Sequence, residues 1–417
     1  MEYAMDTSPC RLLPAHAARP PFATPPKPRA VTPPWRRVAA LFFCMWCLAA
    51  SYTVAHAQTV LHIGFVIGLT GPGSPEESDI WNGALLAVEE INAAAPDGLR
   101  IVMTAHDTRN TPITAKSAAK EAIAAGAAIL FAPSYSSQAL EVAKVAQESG
   151  VPIISVIATH PDITDVGDHV FRVCFDDNAQ ATVLADFARQ DLAAKTAAIL
   201  TDVTSAYALA MSDAFRKRFL ELGGTVVAEI EYKMRQRQFD AVVEEAARSG
   251  ADVVFMPGYW LDASMMIKLM HEAGLTAIPL AGDGWGSSRF QDLRGDLPRR
   301  AYYTDHWDPG MTDARSQRFI AAYAGRFNRR PVAGSALAYD AVHVAAKAAG
   351  TAGILSPEAL SKALSDMRDV PGVTGALAFS PGGGITKSVH IMEIRNGKAG
   401  LLRTVNPDGT ADARQTP

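Results

Sequence analysis

From Thr59 to Ala281 the chain alternates short apolar runs with amphipathic stretches, and this constrains its fold more than any other feature. Val60 to Leu69 (VLHIGFVIGL) predicts a strand, and Trp81 to Asn92 (WNGALLAVEEIN) puts Ala84, Leu85, Val88 and Ile91 on one helical face. Strands at 101–105, 128–131 and 152–156 alternate with helices at 114–125 and 138–148. A second series follows Phe171: helices at 179–190, 206–222, 239–249 and 262–273, with strands at 196–201, 226–230, 253–257 and 279–281. Parallel strands joined by right-handed helical crossovers produce this pattern, so two similar α/β units stand one after the other. The remainder predicts helices at 316–327, 335–349 and 357–366 and a closing hairpin-like stretch from Gly375 through Ile394 to Leu402.

The first 57 residues belong to a different regime. Residues 1–34 are rich in Pro and Ala and read as a disordered leader. Arg36 and Arg37 then precede the apolar run Val38 to Ala50, and Ala55-His56-Ala57 offers a small-x-small cleavage site, so a secretory signal cleaved after Ala57 is expected. As a membrane anchor the run is short: thirteen apolar residues at about 1.5 Å each span roughly 20 Å, against a hydrocarbon core of roughly 30 Å. Cys44 and Cys47 lie within it, and neither follows the Leu-small-small residues of a lipid-modified cysteine.

Charge and cysteine content exclude whole classes of function. Removing that segment leaves 33 basic against 41 acidic residues, a net charge of about −8, with no basic block longer than the three residues Arg216 to Arg218, so nucleic acid is not an expected partner. Cys174 alone remains downstream, in FRVCF, which rules out a disulfide-dependent fold and a cysteine metal cluster and reads as a buried strand residue. His106-Asp107 and Asp305-His306-Trp307-Asp308 lack the helical spacing of zinc hydrolases and read as solvated or hinge positions. No Gly-x-Ser-x-Gly elbow, phosphate loop or dinucleotide-binding glycine motif occurs, and GDGWG is too short for the last. Met265, Met266 and Met270 stand at helical spacing and read as core. Neither an enzyme nor a metal or other cofactor is expected.

IGFVIGLTGPGS, WNGALLAVEEIN, APSYSSQAL with VAQESGVPIISVIATHPDIT, FRVC, AGDGWGSS, SALAYDAV and VPGVTGALAFSPGGG occur in this order between about Val60 and Gly397. Together they resemble the periplasmic leucine/isoleucine/valine-binding proteins, type I solute receptors of ATP-driven (ABC) importers. The resemblance implies an α/β type I periplasmic-binding-protein fold: two parallel-sheet lobes joined by a three-segment hinge, with crossings near 174–177, 304–308 and 376–380. Lobe one would comprise residues 58–174 plus 307–375, lobe two 176–304 plus 378–405, and 406–417 would be a flexible tail. It further implies a monomeric periplasmic receptor that captures a small amino acid, or a related amide or carboxylate, and hands it to an inner-membrane permease. A ligand-sensing module of the same fold and a receptor for aromatic acids are the alternative readings.

The resemblance also carries site residues. Ser136 matches the position whose hydroxyl and backbone hold a ligand carboxylate, at a helix N-terminus where fixed N–H groups favour an anion; read alone, Ser134, Ser136 and Ser137 are also good helix caps. Ile157 and Thr159 match the second carboxylate-binding segment, in a stretch that is otherwise an ordinary turn set by Pro161 and Asp162. Tyr207 and Tyr259 fall where the family contacts the amino end, and Asp283 matches the carboxylate that pairs with the ammonium; its bland alternative is a turn aspartate between Gly282 and Gly284. Trp260 and Trp285 read as packing or rim residues. The chain departs from the family in two places. The region of Glu76 replaces the aromatic that lines the side-chain pocket, which would suit a polar or cationic side chain, and Arg109 and Tyr135 stand where the founding members carry a disulfide.

Overall fold

The computed structural model describes residues 59–71, 74–95, 98–287, 290, 300–380, 382–395 and 397–412. The leader, signal and cleavage site expected within residues 1–57 lie outside them. Strand β1 (Val60–Ile67) is an interior strand of the first sheet, and its residues from Phe65 to Ile67 are buried, as an apolar run covered by helices on both faces should be. It pairs in parallel with β2 (Arg100–Asp107) and β3 (Ile129–Ala132), and β4 (Ile153–Ser155) and β5 (Val170–Arg172) complete the parallel order β2-β1-β3-β4-β5. Helices α1 (Ser74–Ala94), α2 (Pro112–Ala124) and α3 (Ser136–Ser149) and a single turn, α4 (Asp162–Asp165), make the connections. At Gly64 an added Cβ would lie 2.8 Å from that of Ala122, so the missing side chain lets α2 sit directly on β1.

The chain leaves this sheet after β5 and enters α5 (Asp177–Gln190), capped by the Asp176 carboxylate accepting from the Ala179 N–H. It then builds the second sheet from β6 (Thr196–Asp202), α6 (Ala206–Glu221), β7 (Thr225–Tyr232), α7 (Asp240–Ser249), β8 (Val253–Phe255), α8 (Trp260–Glu272), β9 (Ile278–Ala281) and β10 (Arg300–Asp305). After β10 the chain returns: α9 (Ala314–Phe327), α10 (Ala333–Ala352) and α11 (Pro357–Ser365) follow, and α10 packs along α1. The helices approach closely at one point, where a Cβ at Gly83 would lie 2.0 Å from the Ser335 carbonyl oxygen. A short ribbon, β11 (Val370–Gly372) with β12 (Gly375–Leu377), precedes a third passage back to the second sheet, as β13 (Val389–Arg395) and β14 (Lys398–Val405). Both sheets belong to one unit spanning residues 58–417.

The second sheet has the order β14-β13-β10-β9-β8-β6-β7 and is parallel from β7 to β10. Beyond β10 it is antiparallel, an addition to the parallel lobe expected from sequence, because the link from β13 to β14 is too short for a helical crossover. The tail expected from residue 406 first forms a turn in which the Asn406 N–H meets the Thr410 carbonyl at 2.8 Å and Ala411 bridges back to Val405; residues 413–417 lie outside the described set. Cys174 is buried as expected, but in the first passage between sheets rather than in a strand, and burial pushes its thiol up to about 12. Met266 and Met270 are core residues, whereas Met265 is 40% exposed.

Candidate functional site

In each sheet the chain order reverses beside the first strand, between β1 and β3 and between β6 and β8, and ligands of open α/β sheets bind outside the carboxyl ends of strands at such points. One pocket, of about 90 Å³, lies there, lined by the segments that follow β3 and β4 in the first sheet and β8 and β9 in the second, and by the starts of α1, α6 and α10. Ser136, Ile157, Thr159, Tyr207, Tyr259 and Asp283, the six residues singled out from sequence, all line it.

On the first wall, Ser136 opens α3. Tyr135 is the N-cap residue and makes no side-chain cap, so the serine is not the cap that its residue type suggested; its Oγ accepts instead from the His160 N–H at 3.4 Å. Arg172 shapes the turn beneath. It is buried, and its guanidinium donates to the carbonyls of Thr159 (3.1 Å), His160 (2.7 Å) and Pro161 (3.1 Å), which places a positive charge behind the turn that presents Thr159. Nothing in the local pattern VFRV distinguishes that arginine from a strand-end surface residue.

On the second wall, Asp283 begins a 3-10 turn. Its carboxylate is not idle: the Gln180 side-chain amide donates to Oδ1 at 2.9 Å, and His306 Nε2 lies 3.2 Å from Oδ2. Gln180 also donates to Asp177 Oδ1 at 3.0 Å, while its own oxygen accepts from the Asp283 N–H (3.1 Å) and the Thr304 hydroxyl (2.8 Å). Burial raises the carboxyl groups of Asp177 and Asp305 well above the ordinary range, helped in both by the charge of Asp283, which favours their neutral forms. Burial likewise lowers His306, so its contact with Asp283 is a hydrogen bond from a neutral imidazole rather than an ion pair. His306 was expected to be a solvated or hinge position; it lies at the second passage but is fully buried and stacked on Phe175, with ring centroids 3.6 Å apart. The aromatic packing that dries it comes from a segment 131 residues earlier and has no local trace.

The glycines beside Asp283 are there for space. A Cβ at Gly282 would meet the Tyr207 hydroxyl at 2.4 Å, and one at Gly284 the Gly258 carbonyl at 2.6 Å. The Tyr207 hydroxyl accepts from the Gly284 N–H at 3.2 Å, and burial pushes the phenols of Tyr207 and Tyr259 well up, so both stay neutral. Tyr259 meets Tyr207 at 5.4 Å and, from the other sheet, Tyr135 at 4.6 Å between ring centroids. Trp260 lines the pocket, as a rim residue would, and Trp285 is buried core.

The sequence reading missed Glu77, Asp79 and Ile80 on α1 and Val332 and Gly334 at the start of α10. Glu76, the expected replacement for the family aromatic, lies outside the residues whose side chains are described, and the pocket carboxylate in that segment is Glu77, 1% exposed. Its Oε1 accepts from the Ser134 N–H at 3.4 Å, and Asp79 pairs with Arg329 at 3.1 Å. Helical phase along α1 could have indicated Glu77; the α10 residues, some 250 positions away, left no signal. Among the described residues no group of His, Cys, Asp and Glu could hold a metal, and no helix is long and apolar enough to cross a membrane.

The sequence pattern of the periplasmic binding protein family matches residues 60–399. A Leu/Ile/Val-binding protein homologue of Brucella melitensis is 29% identical over 346 residues, covering 82% of this chain and 93% of its own length. The crystal structure of a leucine-binding protein of Thermotoga maritima superposes with a TM-score of 0.80 at 27% identity, over 84% of this chain and all of the other. That of a branched-chain amino acid transporter substrate-binding protein of Streptococcus pneumoniae, in complex with isoleucine, does so with a TM-score of 0.76 at 26% identity, over 82% and 99%. The chain belongs to the periplasmic binding protein family.

Proposed function

We propose, with membership of that family as the premise, that this protein is the extracytoplasmic receptor of an ABC importer and that it captures a small amino acid between its two sheets. One observation carries the reading. The pocket sets a helix start backed by the buried Arg172 guanidinium against a buried, hydrogen-bonded carboxylate, Asp283, on the facing wall. This polarity fits a zwitterion: carboxylate at Ser136 and Thr159, ammonium at Asp283, with Ile157, Tyr207 and Tyr259 shielding both from water.

In this reading residues 58–174 with 307–375 form one lobe and residues 176–304 with 378–405 the other, and the three passages between sheets are the hinge. Closure brings Tyr135 onto Tyr259 and gives the permease a shape distinct from the open form. The family consists of solute-binding proteins, which supports capture without turnover. Export by a signal cleaved after Ala57 and action as a monomer complete the proposal.

Thermal unfolding of the exported protein with amino acids, amides and aromatic acids tests it. A ligand at about 100 times its Kd stabilises by about 2.7 kcal/mol. An amino acid is expected to raise Tm, and Asp283→Ala to abolish most of the rise. Stabilisation by aromatic acids alone, or equal binding by Asp283→Ala, would overturn the amino-acid reading.

A further inference from the structure

Arg172 ends β5 with its side chain 1% exposed. Among the described residues, every hydrogen bond of its guanidinium goes to an uncharged oxygen: the carbonyls of Thr159, His160 and Pro161 and, at 3.4 Å, the Thr164 hydroxyl. Its Nε is buried without a partner among them. Asp177, an acid within reach of its field, is held neutral by burial, with the charge of Asp283 adding to the effect, so it does not answer the guanidinium. An ion kept dry on neutral partners is costly, and the cost falls when an opposite charge comes near.

The hydrogen bonds of Arg172 lead into the pocket. Its Nη1 donates to the Thr159 carbonyl at 3.1 Å, and the N–H of the same peptide unit, on His160, donates to Ser136 Oγ at 3.4 Å. Ser136 lines the pocket, and because its oxygen accepts from behind, its hydroxyl proton is left for a ligand. Each link polarises the next: a cation on the carbonyl makes the peptide N–H a stronger donor, and that N–H in turn strengthens the serine O–H. A carboxylate at Ser136 thus meets a hydroxyl backed by a positive charge one peptide unit away. A carboxamide of the same shape has no charge to gain from that field.

We propose that Arg172 is a positioning residue that sets carboxylate selectivity: acting through the Thr159–His160 peptide and the Ser136 hydroxyl, it makes the site choose α-amino acids over their α-amides. This rests on the reading of Ser136 as the carboxylate end of the site. Because the charge acts without touching the ligand, its removal weakens binding of the anion and leaves the neutral analogue nearly unchanged. At an effective dielectric of about 20 the expected loss is roughly 10- to 50-fold.

Titration calorimetry of the exported protein tests this with alanine, leucine and asparagine against their α-amides and benzoate against benzamide, in the wild type, Arg172→Gln, Arg172→Lys and Asp283→Asn. The wild type should prefer the acid by about 100-fold or more. Arg172→Gln should cut that ratio roughly 10- to 50-fold through the acid alone, and Arg172→Lys, which keeps the charge, should retain most of it. A residue that only props up the turn would weaken acid and amide together in both variants, and that result overturns the proposal. If amino acids bind and need Asp283 but the ratio is unchanged in Arg172→Gln, Arg172 has no such role and the amino-acid reading stands. Binding that ignores Asp283→Asn, or is confined to benzoate, overturns the amino-acid reading, and the role of Arg172 is then decided by the same ratio on the ligand that binds. If nothing binds, both fall. Should neither Arg172 variant fold, Ser136→Ala decides in the same assay: the relay requires the acid alone to weaken, by about tenfold, and equal weakening of acid and amide refutes it.

Discussion

The Asp283 carboxylate and the His306 imidazole meet at 3.2 Å, although one follows β9 and the other lies on the second passage between the sheets. Burial holds the imidazole neutral, and its Nδ1 has no partner among the described residues, so a second proton there would be an orphan in the core. The dyad orients the carboxylate without cancelling its charge. The same contact ties the floor of the pocket to the second passage between the sheets.

Gln180 is the other half of that arrangement, with all four of its hydrogen bonds made to Asp177, Asp283 and Thr304. Gln180→Leu is expected to cost about 3 kcal/mol, because two buried carboxyl groups lose a donor, and to weaken ligand binding roughly tenfold as Asp283 loses its orientation. Gln180→Glu should destabilise more at pH 7 than at pH 5, since the added carboxylate faces Asp177 and Asp283. Urea unfolding at both pH values checks this; equal losses would show that charge is not the cause.

The buried His390 contributes a loss of stability in acid, below pH 6.5, opposed by the raised carboxyl groups of Asp177 and Asp305. Burial lowers His390 to about 3, so between the ordinary histidine value and pH 3 the unfolded chain binds a proton that the folded one refuses. Stability falls with pH across that window by about 1.4 kcal/mol per unit, or about 2 kcal/mol at pH 5 from His390, and His306 adds in the same direction. Between pH 7 and pH 5 His390→Gln should lose about 2 kcal/mol less unfolding free energy than the wild type, as read from denaturant unfolding at the two pH values.

Lys387 gives a slope of the same sign in alkali. Its ammonium is buried where the chain passes back to the second sheet, donating to the Val173 carbonyl at 3.1 Å and to the Thr374 hydroxyl, and burial lowers it to about 8. Between pH 8 and 10.5 the unfolded chain keeps a proton that the folded one has released, so this group makes stability rise with pH, by about 3 kcal/mol over the window. The difference in unfolding free energy between wild type and Lys387→Met, measured at pH 8 and pH 10, isolates the effect; a difference that does not grow with pH would refute it.

Gly83→Ala should cost about 2 to 3 kcal/mol, because the new methyl meets the Ser335 backbone carbonyl, which no rotamer change can move. Thermal unfolding measures this directly, and a loss below 0.5 kcal/mol would mean that α1 and α10 separate freely.

Much of the fold is legible in the chain because parallel sheets covered on both faces need continuous apolar strands, and their helices need one apolar stripe. β1, α3 and β6 stand within two residues of where periodicity put them. β5 was read as a strand two residues too far along, through FRVCF, and β10, with Tyr302, Tyr303 and Thr304, has no alternation to mark it. The pocket residues were legible where they occupy turns after strands, as Ser136, Thr159 and Asp283 do. Glu77 lies in the first turns of α1, where only the helical phase carried a signal for it.

By itself, then, the sequence determined the order of elements, the alternation that makes the sheets parallel and the turns that point into the pocket, since these depend on residues a few positions apart. Tertiary structure decided the charge state and company of those turns. That Asp283 meets His306 and Gln180, that Arg172 stands behind Thr159, and that Gly334 closes Ile80 onto Ile157 depend on segments up to about 250 residues apart brought within 4 Å. Burial, which sets whether a carboxylate is charged or an imidazole neutral, is a property of that packing and has no local trace in the chain.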